Sequence, residues 1–221
     1  MSTYTESRAG ARRRRAALGG SVDFTMMYVA HDAFNRDLGR LIVASEAGLG
    51  LSPAAAVTWR SFSKQLHTHH SAEDAALWPP LRAAVTTTEE GDVLHDMEAE
   101  HAALDPRLDL IEAALEAGDA TAFDTELKAL AKGLSDHMVH EEQEALPLLE
   151  RRTGKAGWDA FTGEIRGRQG GIRGASEYLP WVLDGATTEM RTKVLSLLPA
   201  PARVICRRVW EPKYRRSGRL V

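Results

Sequence analysis

Cysteine is almost absent from this chain, because its 221 residues include a single one, Cys206. One cysteine cannot form a disulfide within the chain, and there is no cysteine cluster for a structural zinc or iron–sulfur site. Long apolar runs are also missing, since no stretch approaches the roughly 20 residues that span a bilayer. The arginines at 12–15 precede an apolar stretch that is too short for an export signal. We therefore expect a cytoplasmic protein with no membrane partner.

Aromatic residues are scarce, at 6% of the chain, whereas hydrophobic residues make up 43% and charged residues 27%. Such a composition is typical of a soluble globular protein, and this length suffices for one core with a small extension. The net charge of −3 conceals a segregation, because both ends are basic and the middle is acidic. Neither basic end contains a recognisable nucleic-acid-binding motif, so we expect solvated ends and no specific nucleic acid partner.

Apolar residues recur every three or four positions along four segments of the chain, which predicts four amphipathic helices. Glycines, prolines and capping residues separate these segments, and the connections are short enough to favour antiparallel neighbours. The sequence therefore predicts an all-α fold with an up-down four-helix bundle over residues 22–152. We expect residues 1–20 to be a disordered basic tail. We expect residues 157–221 to be a helical extension that packs against the bundle and ends in a basic C-terminal tail.

The pattern His-x-x-x-Glu with a proline ten residues after its histidine occurs twice, and the two copies are 68 residues apart. Residues four apart lie on one face of a helix, so each copy directs an imidazole and a carboxylate toward the same point. The two other predicted helices each carry a histidine on the apolar face. Together these residues form a pseudo-symmetric set of candidate metal ligands: His31, His69, Glu73, His101, His137 and Glu141.

A single histidine on an apolar helix face is more often a hydrogen-bonded core residue than a ligand. Here that explanation has to hold once in each helix, and it must also accommodate two buried carboxylates whose burial is costly without a partner. A metal ion removes this cost, so we prefer a metal site. The other histidines are turned away from the apolar faces and are predicted to lie at the rim, behind a ligand or in solvent: His67, His70, His95 and His140.

Imidazole and carboxylate donors without thiolate suit iron, manganese or zinc. Glu73 and Glu141 can each span two metal ions, while two histidines remain for each ion. Such a set leaves one or two open positions on each metal in an octahedral shell. Open positions on paired redox metals are where dioxygen, peroxide or nitric oxide bind.

These motifs resemble those of the hemerythrin-like (HHE cation-binding) family over about residues 22–152. The resemblance rests on four parts of the sequence: His31, His69 to Pro79, Glu100-His101, and His137 to Pro147. It implies an up-down four-helix bundle that holds a non-haem di-iron centre with two iron ions. It also places His31, His69, Glu73, His101, His137 and Glu141 at the family's ligand positions.

Two positions depart from the pattern of the oxygen-carrying members. Those proteins have a further histidine four residues after the one matched by His101, where this chain has Asp105. Their last carboxylate ligand comes five residues after its histidine, whereas Glu141 comes four residues after His137. The missing histidine argues against reversible oxygen carriage. Asp105 is interpreted either as a weak seventh ligand or as a solvent contact.

The predicted function is the binding or decomposition of a small oxidant, with hydrogen peroxide first and nitric oxide or dioxygen next. Catalase- or peroxidase-type activity at a di-iron centre is one form of this hypothesis, and it requires no catalytic residue beyond the metal ligands. The alternative is a non-enzymatic iron or oxygen sensor, or a regulator, that acts through the C-terminal extension. The sequence does not identify a protein partner.

Overall fold

The computed structural model describes residues 8–221, and every regular element within them is helical. The prediction of an all-α protein is thus confirmed. The N-terminal two thirds contain α1 (Arg8–Leu18), α2 (Thr25–Glu46), α3 (Pro53–Ala76), α4 (Trp78–Ala84), α5 (Thr88–Ala117) and α6 (Ala120–His140). A π-helical turn (Glu141–Ala145) then leads into α7 (Leu146–Arg152). The remainder contains α8 (Gly154–Gln169), α9 (Gly171–Leu183), α10 (Thr188–Ser196), α11 (Ala200–Ile205), a second π-helical turn (Cys206–Trp210) and α12 (Glu211–Arg215).

Local sequence signals set the ends of the long helices. The side chain of Ser52 accepts a hydrogen bond from a backbone N–H in the first turn of α3, and Thr87 does the same for α5. Asp119 caps α6 in the same way. Gly118 ends α5 with a φ of 69°, a left-handed conformation that glycine adopts without steric cost.

The four longest helices enclose the largest apolar core. Helix α2 contacts α3 and α6, and α5 contacts the same two helices, so the four form a closed ring. Large buried side chains from three of these helices, including Phe34, Phe62 and Phe123, meet inside the ring. Within the described residues, no helix combines the length and the apolar character that crossing a membrane requires.

The N-terminal segment differs from the predicted disordered tail. Residues 8–18 form α1, while residues 1–7 of the predicted tail lie outside the described residues. Helix α1 is held in place by ion pairs, because Arg14 and Arg15 both contact the buried side chain of Glu142. Propensity and periodicity in residues 8–18 alone do not reveal this partner, which lies more than 120 residues away in sequence.

The C-terminal extension shares its core with the ring of long helices. Trp181 is fully buried, and its indole Nε1 donates a hydrogen bond to Asp37 Oδ2 on α2 at 2.8 Å. Arg36 donates to the backbone carbonyl oxygen of Trp181 at 2.7 Å. Close to the end of the chain, the backbone N–H of Leu220 donates to Thr58 Oγ1 at 2.9 Å. Residues 157–221 therefore belong to the same packed unit as α2 and α3.

Candidate metal centre

Seven side chains converge inside the ring of α2, α3, α5 and α6. They form two groups, and within each group one potential ligand atom per residue lies within 4.8 Å of the others. All seven side chains are buried. The first group is His70, Glu73, His101 and His137, and the second is His31, His69 and Glu141.

The first group joins three helices through close contacts between imidazoles. The rings of His70 on α3 and His101 on α5 are stacked, with centroids 4.0 Å apart and planes inclined by 12°. Nε2 of His101 lies 3.2 Å from Nε2 of His137 on α6. Two imidazoles that face each other through Nε2 at this distance present a pair of lone pairs to one cation when both rings are neutral.

The second group lies beside α2. Nε2 of His31 is 3.1 Å from Oε2 of Glu141, which occupies the first position of the π-helical turn after α6. The ring of His69 lies edge-on to that of His31, with centroids 5.4 Å apart. A π-helical turn widens the helix by one residue and often occurs at functional sites. Here it carries the only carboxylate of the second group.

Glu73 connects the two groups. Its Oε1 lies 3.0 Å from Nε2 of His69 in the second group, and its Oε2 lies 3.6 Å from Nε2 of His101 in the first. A carboxylate can place one oxygen on each of two neighbouring cations. Glu73 is therefore positioned to offer one oxygen to each group.

Four of the five imidazoles bind a carboxylate through their outer nitrogen. A proton on Nδ1 that is donated to a carboxylate leaves the Nε2 lone pair directed into the site, which is the usual arrangement of metal-binding histidines. The pairs, with the distances from Nδ1 to oxygen, are His31–Glu142 (2.7 Å), His70–Asp105 (3.2 Å), His101–Asp74 (2.9 Å) and His137–Glu100 (2.7 Å).

Most of the atoms that face into the site lack hydrogen bonds. Among the described residues, seven buried atoms of this site have no hydrogen-bond partner: Nε2 of His31, His69 and His70, and both carboxylate oxygens of Glu73 and Glu141. Each such group costs about 1–3 kcal/mol when it is left unsatisfied in a protein interior. A cation satisfies all of them at once, so the residues present fit a metal site.

The pKa values of the buried glutamates and of His69 also favour a bound cation. Burial raises the pKa of Glu73 well above its usual value, and the neighbouring negative charge of Glu141 raises it further. Burial lowers the pKa of His69 to about 3, so its imidazole is neutral and free to donate a lone pair. A positive ion between Glu73 and Glu141 would offset both the burial and the mutual repulsion of the two carboxylates.

The structure brings together all six residues that the sequence analysis selected, but it also adds His70. The prediction that His70 lies at the rim or in solvent is wrong, because its side chain is buried and stacks on His101. It also belongs to a group of potential ligands and does not lie behind one, which is the third place predicted for it. Helix α3 contacts α2 on one side and α5 on the other. Because adjacent helical residues differ by 100° in direction, His69 faces α2 while His70 faces α5. The histidines are consequently divided three and two, and not two and two.

The other histidines and acidic residues considered in the sequence lie outside the seven side chains of the two groups. Asp105 contacts His70 Nδ1 and is 49% exposed, so it faces solvent, which is one of the two roles predicted for it, and is also an outer partner of an imidazole. His67 and His95 are exposed, and His140 pairs with Glu100 outside the two groups. The outer carboxylates are not predicted from the sequence. Three of them are adjacent to a predicted ligand, in the pairs Glu73-Asp74, Glu100-His101 and Glu141-Glu142, and this adjacency is the signal that could identify them.

The position of His70 in the first group predicts that His70 and His140 differ in their effect on metal binding. We expect His70→Ala to weaken metal binding by roughly tenfold or more, because it removes one imidazole of the first group. His140→Ala should retain the metal content of the unmodified protein, since His140 lies outside both groups. Metal per chain after dialysis against a weak chelator measures both. Equal metal content in the two variants would contradict a ligand role for His70.

Comparison with known protein families agrees with this geometry. The family model described as Hemerythrin HHE cation binding domain matches residues 22–149, more than half of the chain. That range contains all seven residues of the two groups. No curated protein and no solved structure matches the chain. The resemblance found in the sequence is thus confirmed, and the chain belongs to the hemerythrin HHE cation-binding domain family.

Proposed function

We propose that this protein is a non-haem di-iron protein that binds or decomposes a small oxidant, hydrogen peroxide first and nitric oxide or dioxygen next. The observation that carries the proposal is the set of seven inward-facing buried atoms without hydrogen-bond partners, arranged in two groups that share Glu73. We also infer that α2, α3, α5 and α6 form an up-down four-helix bundle around the two ions. The closed ring of contacts among these helices supports that arrangement.

The donors divide between two ions. His70, His101 and His137 would hold one iron, and Glu73 would bridge to the other. His31, His69 and Glu141 would hold the second iron with the other oxygen of Glu73. Each ion would then have about four protein donors, which would leave open positions in an octahedral shell. Nitrogen and oxygen donors without thiolate suit iron.

When bound, two irons would supply the redox chemistry, in which one peroxide is oxidised to dioxygen while another is reduced to two water molecules. The protein's own residues hold the donors and restrict access. The ring of Phe34 lies 5.4 Å from that of His69, and Phe161 borders the same imidazole at 6.1 Å. Trp78 lies 6.2 Å from His101.

Metal content is the first test of this function. The isolated protein should carry close to two metal ions per chain, mainly iron, because the donors form two groups. Elemental analysis with an optical spectrum measures both the stoichiometry and the metal. One ion per chain, or zinc as the main metal in cells supplied with iron, would count against a di-iron centre.

Peroxide turnover separates an enzyme from a regulator. The iron-loaded protein should release dioxygen from hydrogen peroxide, as an oxygen electrode measures, and His140→Ala should do so at the same rate. The regulator alternative is favoured by one contact, since Phe161 of the extension lies against His69. A protein that binds two irons and changes its spectrum with peroxide, yet releases no dioxygen, would support the regulator.

A further inference from the structure

Two arginines of helix α1 form hydrogen bonds with the buried carboxylate of Glu142. Arg14 donates to Glu142 Oε2 at 2.6 Å, and Arg15 donates to both oxygens of Glu142, at 2.8 Å from Nε and 2.7 Å from a terminal nitrogen. The side chain of Glu142 is only 1% exposed, and those of Arg14 and Arg15 are 12% and 10% exposed. A fork of two hydrogen bonds from arginine fixes the plane of a carboxylate as well as its position.

The same carboxylate contacts the candidate metal centre. Oε1 of Glu142 lies 2.7 Å from Nδ1 of His31, whose other nitrogen faces Glu141. Each oxygen of Glu142 therefore has two partners, and the side chain has no freedom to rotate away from the imidazole. The chain of contacts runs from Arg15 through Glu142 to His31 and into the second group of potential ligands.

This pairing distinguishes His31 from the other imidazoles of the site. The carboxylates behind the other three paired histidines are much more open to solvent, with side-chain exposures of 48% for Asp74, 49% for Asp105 and 32% for Glu100. Water can hydrogen-bond to those three carboxylates and screen their charge. Glu142 is supported by protein groups, and its burial is offset by two guanidinium charges.

Other contacts hold Arg15 in this place. Arg15 also donates to Asp32 on α2 at 2.8 Å, and its guanidinium lies over the ring of Tyr28 at 4.7 Å from the centroid. Gly19 and Gly20, with φ values of 66° and 113°, turn the chain sharply between α1 and α2. The turn allows α1 to reach Glu142.

We propose that Arg15, assisted by Arg14, is a positioning residue for the metal centre, which orients His31 through Glu142 and lowers the negative charge felt by the metal next to His31. The inference rests on the proposed function, because it assumes that His31 is a ligand. Loss of an outer partner of a metal-bound histidine typically weakens metal binding by about 10–100-fold. Removal of the positive charge should also favour the more oxidised metal, so the reduction potential should fall.

The test compares four variants of the full-length protein. Arg15→Met removes both hydrogen bonds to Glu142 and the positive charge. Arg15→Lys keeps the charge, and Glu142→Gln removes the carboxylate. Arg12→Met is the matched control, because Arg12 lies on the same helix and pairs with Glu189 at an exposed position. The readouts are the affinity of the metal-free protein for Co²⁺, measured by the visible spectrum, and the midpoint potential of the iron-loaded protein.

We expect Arg15→Met and Glu142→Gln to weaken the binding of one of the two Co²⁺ ions by about 10–100-fold, while the other ion binds as before. Arg15→Met should lower the midpoint potential and Arg15→Lys should restore it, whereas Arg12→Met should change neither readout. Unchanged affinities and potential in Arg15→Met would overturn the inference and leave α1 with a purely structural role. If Arg15→Met does not fold, Arg15→Lys and Glu142→Gln still decide the question. Unmodified protein that binds no Co²⁺ would instead contradict the proposed function.

Discussion

Glu73→Gln is expected to reduce the bound metal to less than one ion per chain, the largest effect of any single substitution at this site. Glu73 lies between the two groups, so its replacement should remove a donor from each of the two metal positions that we propose. The metal-bound state should lose its extra stability, which amounts to about 4 kcal/mol when the free metal concentration is 1,000 times the dissociation constant. Elemental analysis and thermal unfolding with and without metal measure the two effects.

The metal-free protein should respond in the opposite way. Glutamine has nearly the same shape as glutamate, and it cannot take the negative charge that burial and Glu141 disfavour at this position. Metal-free Glu73→Gln should therefore be at least as stable as the metal-free unmodified protein. Glu144→Gln is the control, because that side chain is exposed and lies outside both groups. Normal metal content in Glu73→Gln, or lower stability without metal, would show that Glu73 has a structural role only.

The parts of this molecule that sequence analysis predicts well are those governed by local rules. The apolar period of about 3.6 residues and the caps at Ser52, Thr87 and Asp119 depend on residues close in sequence, and they locate the long helices. The repeated His-x-x-x-Glu pattern is also local. It selects Glu73 and Glu141, because a helix necessarily brings residues four apart onto one face.

The parts that sequence analysis misses depend on which elements become neighbours. His70 points into the site because α5 lies on one side of α3 while α2 lies on the other, and no pattern within α3 states this. The position of α1, residues 8–18, depends on its contacts with Glu142, which is more than 120 residues away in sequence. From the sequence alone, the four arginines at 12–15 are predicted to be a solvated tail. The structure shows that two of them pair with the buried carboxylate of Glu142.

The other large effect is expected in the C-terminal extension. Trp181→Ala should destabilise the whole protein by about 3–5 kcal/mol, the usual range for deleting a large buried aromatic side chain. Trp181 is fully buried and packs against Phe34 with ring centroids 5.0 Å apart. The substitution would also remove the indole N–H that donates to the buried carboxylate of Asp37.

Two further variants separate packing from hydrogen bonding. Trp181→Phe retains most of the ring but leaves an oxygen of Asp37 without its donor, so it should cost about 1–3 kcal/mol. Ile172→Ala alters an exposed side chain of the same helix and should change stability by less than about 0.5 kcal/mol. Urea unfolding of the metal-free protein, followed by circular dichroism and tryptophan fluorescence, measures all three.

The shape of the unfolding transition matters as much as its midpoint. Because Trp181, Val182 and Leu183 belong to the same apolar core as Phe34, the extension and the long helices should unfold together in one transition. Trp181→Ala should shift that single transition for both probes. Two transitions, of which only one responds to the substitution, would instead mean that residues 157–221 fold as a separate unit. In that case their contact with His69 through Phe161 would contribute little to holding the metal centre.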